Sequence, residues 1–110
     1  MELSREPAGS YTGKLFADLG AEVVKVEAPT GDPLRERTGA FLHLNTNKRS
    51  VVADPAGAPG RDKLSRLLDR ADVVVETVGG GELADFAMSA DDVRARRPGL
   101  VVTTISGFGA

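Results

Sequence analysis

The sequence predicts an α/β fold, an incomplete parallel sheet with helices on both faces. Three observations carry that reading. Residues 16–27, FADLGAEVVKVE, give a helix end, a glycine and an apolar strand in that order, the return half of a βαβ unit. Residues 72–76, DVVVE, form an apolar run with polar ends, which suits a parallel strand buried on both faces. Leu64, Leu67, Leu68 and Ala71 recur on one helical face just before that run, with Arg61, Asp62, Lys63, Arg66, Asp69 and Arg70 on the solvated side.

Taken in order, residues 1–4 read as the tail of a first strand, too short to stand alone as a stable central strand. Ser10 reads as an N-cap, because its hydroxyl can accept from a free N–H of a following first turn. Tyr11, Leu15, Phe16 and Leu19 follow at helical spacing, and Gly20 supplies a left-handed stop. Residues 22–27 are the next strand, ended by Pro29 and Gly31. Residues 28–37, rich in Pro, Gly and charge, predict a surface loop. Phe41, Leu42 and Leu44 anchor the chain before an Asn-rich turn, and residues 51–53 form a short strand.

Gly57 and Pro59-Gly60 predict the connection to the helix around Leu64–Leu68. After the strand at 72–76, a short helix is expected near residues 82–87. Ser89-Ala90-Asp91-Asp92 is a capping-box pattern that starts a helix running to about Arg97, and Pro98-Gly99 ends it. Residues 100–105 give the last strand. The whole reads as one unit, 1–110, the front half of a doubly wound domain.

Composition limits the function. A chain of 110 residues, 41% hydrophobic and 27% charged, holds one compact core. Its 14 Lys+Arg against 16 Asp+Glu give a net charge of -2, which argues against a nucleic-acid partner. With no cysteine there is no thiolate or disulfide chemistry, and the composition is compatible with a cytoplasmic location. No basic segment leads into an apolar run, so neither a secretory nor a membrane-spanning segment is expected.

The loops at residues 6–11, 28–33 and 77–81 should converge at the carboxyl edge of the sheet, where helix N-termini and free backbone N–H groups meet ligands. Gly79, Gly80 and Gly81 would allow a close backbone approach, or serve as a plain flexible connection. Lys48 and Arg49, beside Asn45 and Asn47, could hold a phosphate or simply be a solvated strand entrance. Neither the GxGxxG spacing nor a Walker loop is present. His43, flanked by apolar residues, reads as structural. Glu27, Asp32 and Glu36 form no metal-ligand pattern, and Asp72 and Glu76 read as strand-end charges, with Glu76 the better placed for acid–base work.

These same residues carry a resemblance. Ala8-Gly9-Ser10, residues 16–27, Gly31-Asp32-Pro33-Leu34-Arg35, residues 45–50, 71–76 and 105–109 occur in the order found in the N-terminal part of the class III coenzyme A transferase family (CaiB/BaiF-like). The resemblance implies a Rossmann-like large domain that binds coenzyme A, a further small domain, and paired interlocking subunits. It implies acyl-CoA:carboxylate CoA transfer through a covalent aspartyl intermediate, with that aspartate beyond the position of Ala110, so that catalysis would need a remainder. Alpha-methylacyl-CoA racemases share the framework, and a non-catalytic structural or interaction module is the other alternative.

By resemblance, Lys48 is a residue of the CoA phosphate side, with Asn45 in the same loop. Ala28 is at the adenine side, and Thr77, Val78 and Gly79 flank the nucleotide. Thr77 and Val78 stand where the family commonly has Asn and an aromatic, Ser10 where it has Pro, and Asp85 near the position of an arginine. Partners implied are CoA or acyl-CoA and either a homo-oligomer or a complementing C-terminal subunit.

Overall fold

A computed structural model of the chain describes residues 1–78 and 82–109. Strands β1 (Glu2–Leu3), β2 (Val24–Glu27), β3 (Arg49–Val52), β4 (Val73–Thr77) and β5 (Val101–Ile105) form one sheet in the order β3-β2-β1-β4-β5, every pairing parallel. Helices α1 (Pro7–Asp18), α2 (Thr38–Asn45), α3 (Ala58–Leu68) and α4 (Ala90–Arg96) complete the layers, with 3-10 turns at Pro33–Glu36 and Leu83–Phe86. The α/β class holds, and the order reverses between β1 and β4, as in doubly wound folds.

Strand alternation divides the sheet into two unlike faces. Leu3, Val26 and Val74 point to one side, where they pack with Leu64 and Leu68 of α3, Val93 of α4, and Leu83, Phe86 and Leu100. This is the apolar core. On the other face Glu2, Lys25 and Ser50 stand side by side, because Glu2 is in register with Lys25 and Lys25 with Ser50. Helix α1 lies over that polar rung and touches β1 and β4.

Sequence reading and structure differ at several points. β1 is short, yet it occupies the middle of the sheet, because β2 and β4 flank it and the Val75 N–H reaches Met1 O at 3.0 Å. Ser10 is not an N-cap. Helix α1 starts at Pro7, whose missing N–H costs nothing in a first turn, and Ser10 is buried one turn further on. Residues 38–45 form α2, and His43 is an exposed helical residue. Pro59-Gly60 lies in the first turn of α3 rather than before it.

Other signals read as expected. Gly20 adopts φ +98° beyond the end of α1. Ser89 Oγ accepts from the Asp92 N–H at 3.0 Å while the Ser89 N–H donates to Asp92 Oδ2 at 3.2 Å, so the capping box starts α4. Arg97, just past α4, donates to Leu68 O and Ala71 O, satisfying carbonyls at the end of α3.

Candidate functional site

The carboxyl edge of the sheet carries a small hollow of about 10 Å³ lined by Ser4, Arg5, Val26, Glu27, Ala28, Gly31, Asp32, Pro55 and Phe86. Ala28 is half-buried there and closes a turn by accepting from the Gly31 N–H at 2.8 Å. Gly31 needs its φ of +79° to make that turn, which a side chain would strain. Thr77, at the end of β4, is buried with its methyl against Gly9 of α1, and a Cβ on Gly9 would lie 2.7 Å from that methyl. Val78 is half exposed, and its N–H is already given to Ile105 O at 2.9 Å. Gly79, with Gly80 and Gly81, lies outside the described residues.

Asn45 and Lys48 sit elsewhere, at the amino end of β3, and reach under α1. The Lys48 side chain is only 2% exposed. Its Nζ contacts Glu2 Oε2 at 2.6 Å and donates to Ser10 O at 2.7 Å and Asn45 Oδ1 at 2.9 Å. Burial pushes its pKa below the usual lysine range, outweighing the opposite pull of Glu2. The five described residues of the six therefore do not form one cluster: Ala28, Thr77 and Val78 belong to the carboxyl edge, Asn45 and Lys48 to the space beneath α1.

That space holds a closed ionic group that sequence reasoning missed. Lys25, 1% exposed, contacts Glu2 Oε1 at 2.8 Å and Asp32 Oδ2 at 2.7 Å, and donates to Ser4 O at 3.1 Å and Ser10 Oγ at 3.3 Å. Glu2 Oε2 and Asp32 Oδ2 lack a well-directed hydrogen bond, so each is held by charge attraction to its ammonium. Two ammonium groups balance two carboxylates, as a buried group requires. Helix α1 can lie this close because it presents Gly9, Ser10, Gly13 and Ala17; a Cβ on Gly13 would come within 3.1 Å of Lys48 Nζ. The available signal was a lysine in the middle of VVKVE, a strand covered on both faces.

A second charged unit fixes the loop after β2. Glu27 Oε1 accepts from the Asp32 N–H and Arg35 Nε, and Oε2 accepts from Arg35 Nη2, all at 2.8 Å, with Ser50 Oγ adding a further bond. Arg35 above all, aided by Ser50 and the Asp32 amide, holds the Glu27 carboxyl at about 2 against an ordinary 4.5. Because the folded value is the lower one, this stabilisation is complete above about pH 4.5 and is lost as the pH falls through 2. Thermal melts by circular dichroism should therefore show Tm dropping across that window. Glu27→Gln should melt lower at pH 7 and drop less. Parallel pH profiles for the two proteins would contradict the assignment.

Among the described residues, no group of three or more His, Asp or Glu is placed to hold a metal ion. Glu76 is buried and accepts from the Leu83 N–H at 2.9 Å and Thr104 Oγ1 at 2.8 Å, which gives it a structural task. Asp72 is exposed beyond the opposite end of β4. No helix among the described residues is long and apolar enough to cross a membrane.

The arrangement of edge loops and sheet order can be set beside known proteins. A model of CoA-transferase family III matches residues 1–110. The chain belongs to CoA-transferase family III. Among family III relatives, a probable fatty acyl-CoA transferase of Mycobacterium tuberculosis is 34% identical, with 99% of this chain and 30% of the relative covered. A succinyl-CoA–D-citramalate CoA-transferase of Chloroflexus aurantiacus is 37% identical, again over 99% of this chain and 29% of the relative. The crystal structure of a CaiB/BaiF family protein from Brucella suis superposes with a TM-score of 0.90 at 36% identity, covering 98% of this chain and 32% of that one. The chain thus spans about 30% of the length of these family III relatives, matching their N-terminal part.

Proposed function

We propose that this chain is the CoA-binding N-terminal segment of an acyl-CoA:carboxylate CoA-transferase, and that catalysis depends on residues outside it. The observation that carries the reading is the family III match along the whole chain, together with a parallel sheet whose loops after β1 and β2 meet around a small hollow at the carboxyl edge. In open α/β sheets ligands rest at that edge, where the strand order reverses and α1 directs its N-terminal N–H groups. The transferase reading is preferred over a racemase because the similar proteins are named CoA-transferases acting on succinyl-CoA or fatty acyl-CoA.

In this proposal CoA or an acyl-CoA is the ligand, and Ala28, Thr77, Val78 and Gly79 border it. Asn45 and Lys48 belong to its phosphate side. For Lys48 to meet a phosphate, its ammonium must exchange Glu2 for the ligand. No residue here is assigned the nucleophilic role. The working protein is cytoplasmic and pairs with a second copy or a complementing C-terminal subunit; the open edges of β3 and β5 and the exposed Leu19 and Val101 support such pairing.

Isothermal titration with CoA tests the reading. Saturable binding that weakens at least about 10-fold in Lys48→Ala, with the circular dichroism of the fold retained, is the expected result. The alternative is a non-catalytic interaction module, favoured by the internal commitment of Lys48 and by the acidic Asp85 where the family has a cation. Absence of CoA binding by a folded sample would select that alternative.

A further inference from the structure

Arg35 has features that its pairing with Glu27 does not exhaust. Its Nε and Nη2 are fixed in the plane of the guanidinium by the two Glu27 oxygens. One face is covered by Phe41, whose ring centroid lies 4.2 Å from Cζ. The side chain nonetheless remains 49% exposed. A flat group has thus been immobilised along one edge and one face while much of its surface stays open.

The charge balance decides what such a surface suits. Glu27 stays ionised well below neutral pH, so the Arg35–Glu27 pair is electrically neutral, and a phosphate approaching Arg35 would also meet the carboxylate. A flat π-system has no such conflict. It stacks on a guanidinium plane already fixed by the Nε and Nη2 bonds to Glu27, so little side-chain freedom remains to be lost. Position agrees with this. Gly31 lines the carboxyl-edge hollow beside Ala28, and a Cβ on Gly31 would lie 3.4 Å from Arg35 Cδ, so the arginine stem borders the same turn. Ala28 has only a methyl and offers no plane of its own.

We propose that the open face of the Arg35 guanidinium is the stacking platform for the purine ring of CoA. The platform rests on the CoA reading above and adds a residue to it. Arg35→Lys keeps a cation opposite Glu27 but has no plane, so it separates stacking from charge.

Titrations of the wild-type chain and Arg35→Lys with CoA and with 4′-phosphopantetheine, which lacks the purine, provide the test. Arg35→Lys should weaken CoA about 10-fold, the effect of one lost base stack, and leave 4′-phosphopantetheine as it is in the wild type, whether weak or absent. Phe41→Leu, which keeps the Glu27 fork, should give a smaller loss of the same selectivity and serves if Arg35→Lys does not fold. CoA affinity within about twofold of wild type, or equal weakening of both ligands, would overturn the platform while leaving the CoA reading in place. A folded wild-type chain that does not bind CoA would overturn both.

Discussion

Replacing Lys25 by methionine is expected to destabilise the chain by about 3–5 kcal/mol, the cost of removing one partner from a buried charge group. The ammonium contacts Asp32 Oδ2 and shares Glu2 with Lys48, and it also satisfies Ser4 O and Ser10 Oγ. Methionine fills nearly the same volume, so packing loss contributes little and the loss reports the stranded carboxylates. Adding Asp32→Asn should recover part of it, because the amide needs no counter-ion while its Oδ1 can still accept from the Leu34 N–H, now at 2.8 Å. Urea denaturation measures both. A Lys25→Met variant within about 1 kcal/mol of wild type would show that the group under α1 contributes little.

Gly60→Ala should cost about 3 kcal/mol or more, a Tm fall on the order of 15 °C. The first turn of α3 rests directly on the backbone of Asp54, and a Cβ on Gly60 would lie 2.6 Å from the Asp54 carbonyl carbon and 2.7 Å from its nitrogen. Backbone cannot rotate away as a side-chain tip can. The helix would have to lift, carrying Leu64 and Leu68 out of the core. Gly39→Ala is the control: it lies in α2 with nothing within 4 Å of the added Cβ, so it should be neutral or slightly stabilising. Equal melting temperatures for the two variants would contradict the packing described.

Gly60 also shows where sequence reading stops. Pro-Gly after Gly57 looks like a turn because both residues interrupt helices, yet a proline in the first turn loses no hydrogen bond and the glycine answers a contact with a segment six residues earlier. Signals closed within a few residues were legible: Gly20, the Ser89–Asp92 box and the apolar run of β4 all describe local geometry. Residues 38–45 were not, since Phe41, Leu42 and Leu44 are bunched without helical period and α2 is stabilised by packing on α1 and on the turn at Pro33–Glu36. The central place of β1 was hidden because its stability comes from β2 and β4.

For the candidate site, the resemblance supplied the positions and the register supplied the chemistry. Lys48 looks like a free phosphate ligand while its neighbours are read only along the chain. Once Glu2, 46 positions away, is brought beneath it, the lysine becomes part of an interior ion group. Glu27, at a strand end, and Arg35, in the following loop, likewise read as separate charges, and only the fold joins them into a fork.

The central claim is that this chain carries a CoA site at the carboxyl edge of its sheet. Two-dimensional 1H–15N NMR of the chain during titration with CoA tests it most directly. Saturable shifts at the amides of Ala28, Gly31, Asp32, Thr77 and Val78, with the Asp72 and Val101 amides at the opposite edge and away from Lys48 unmoved, are the predicted result. An unchanged spectrum at millimolar CoA, or shifts confined to the amino edge, would contradict it.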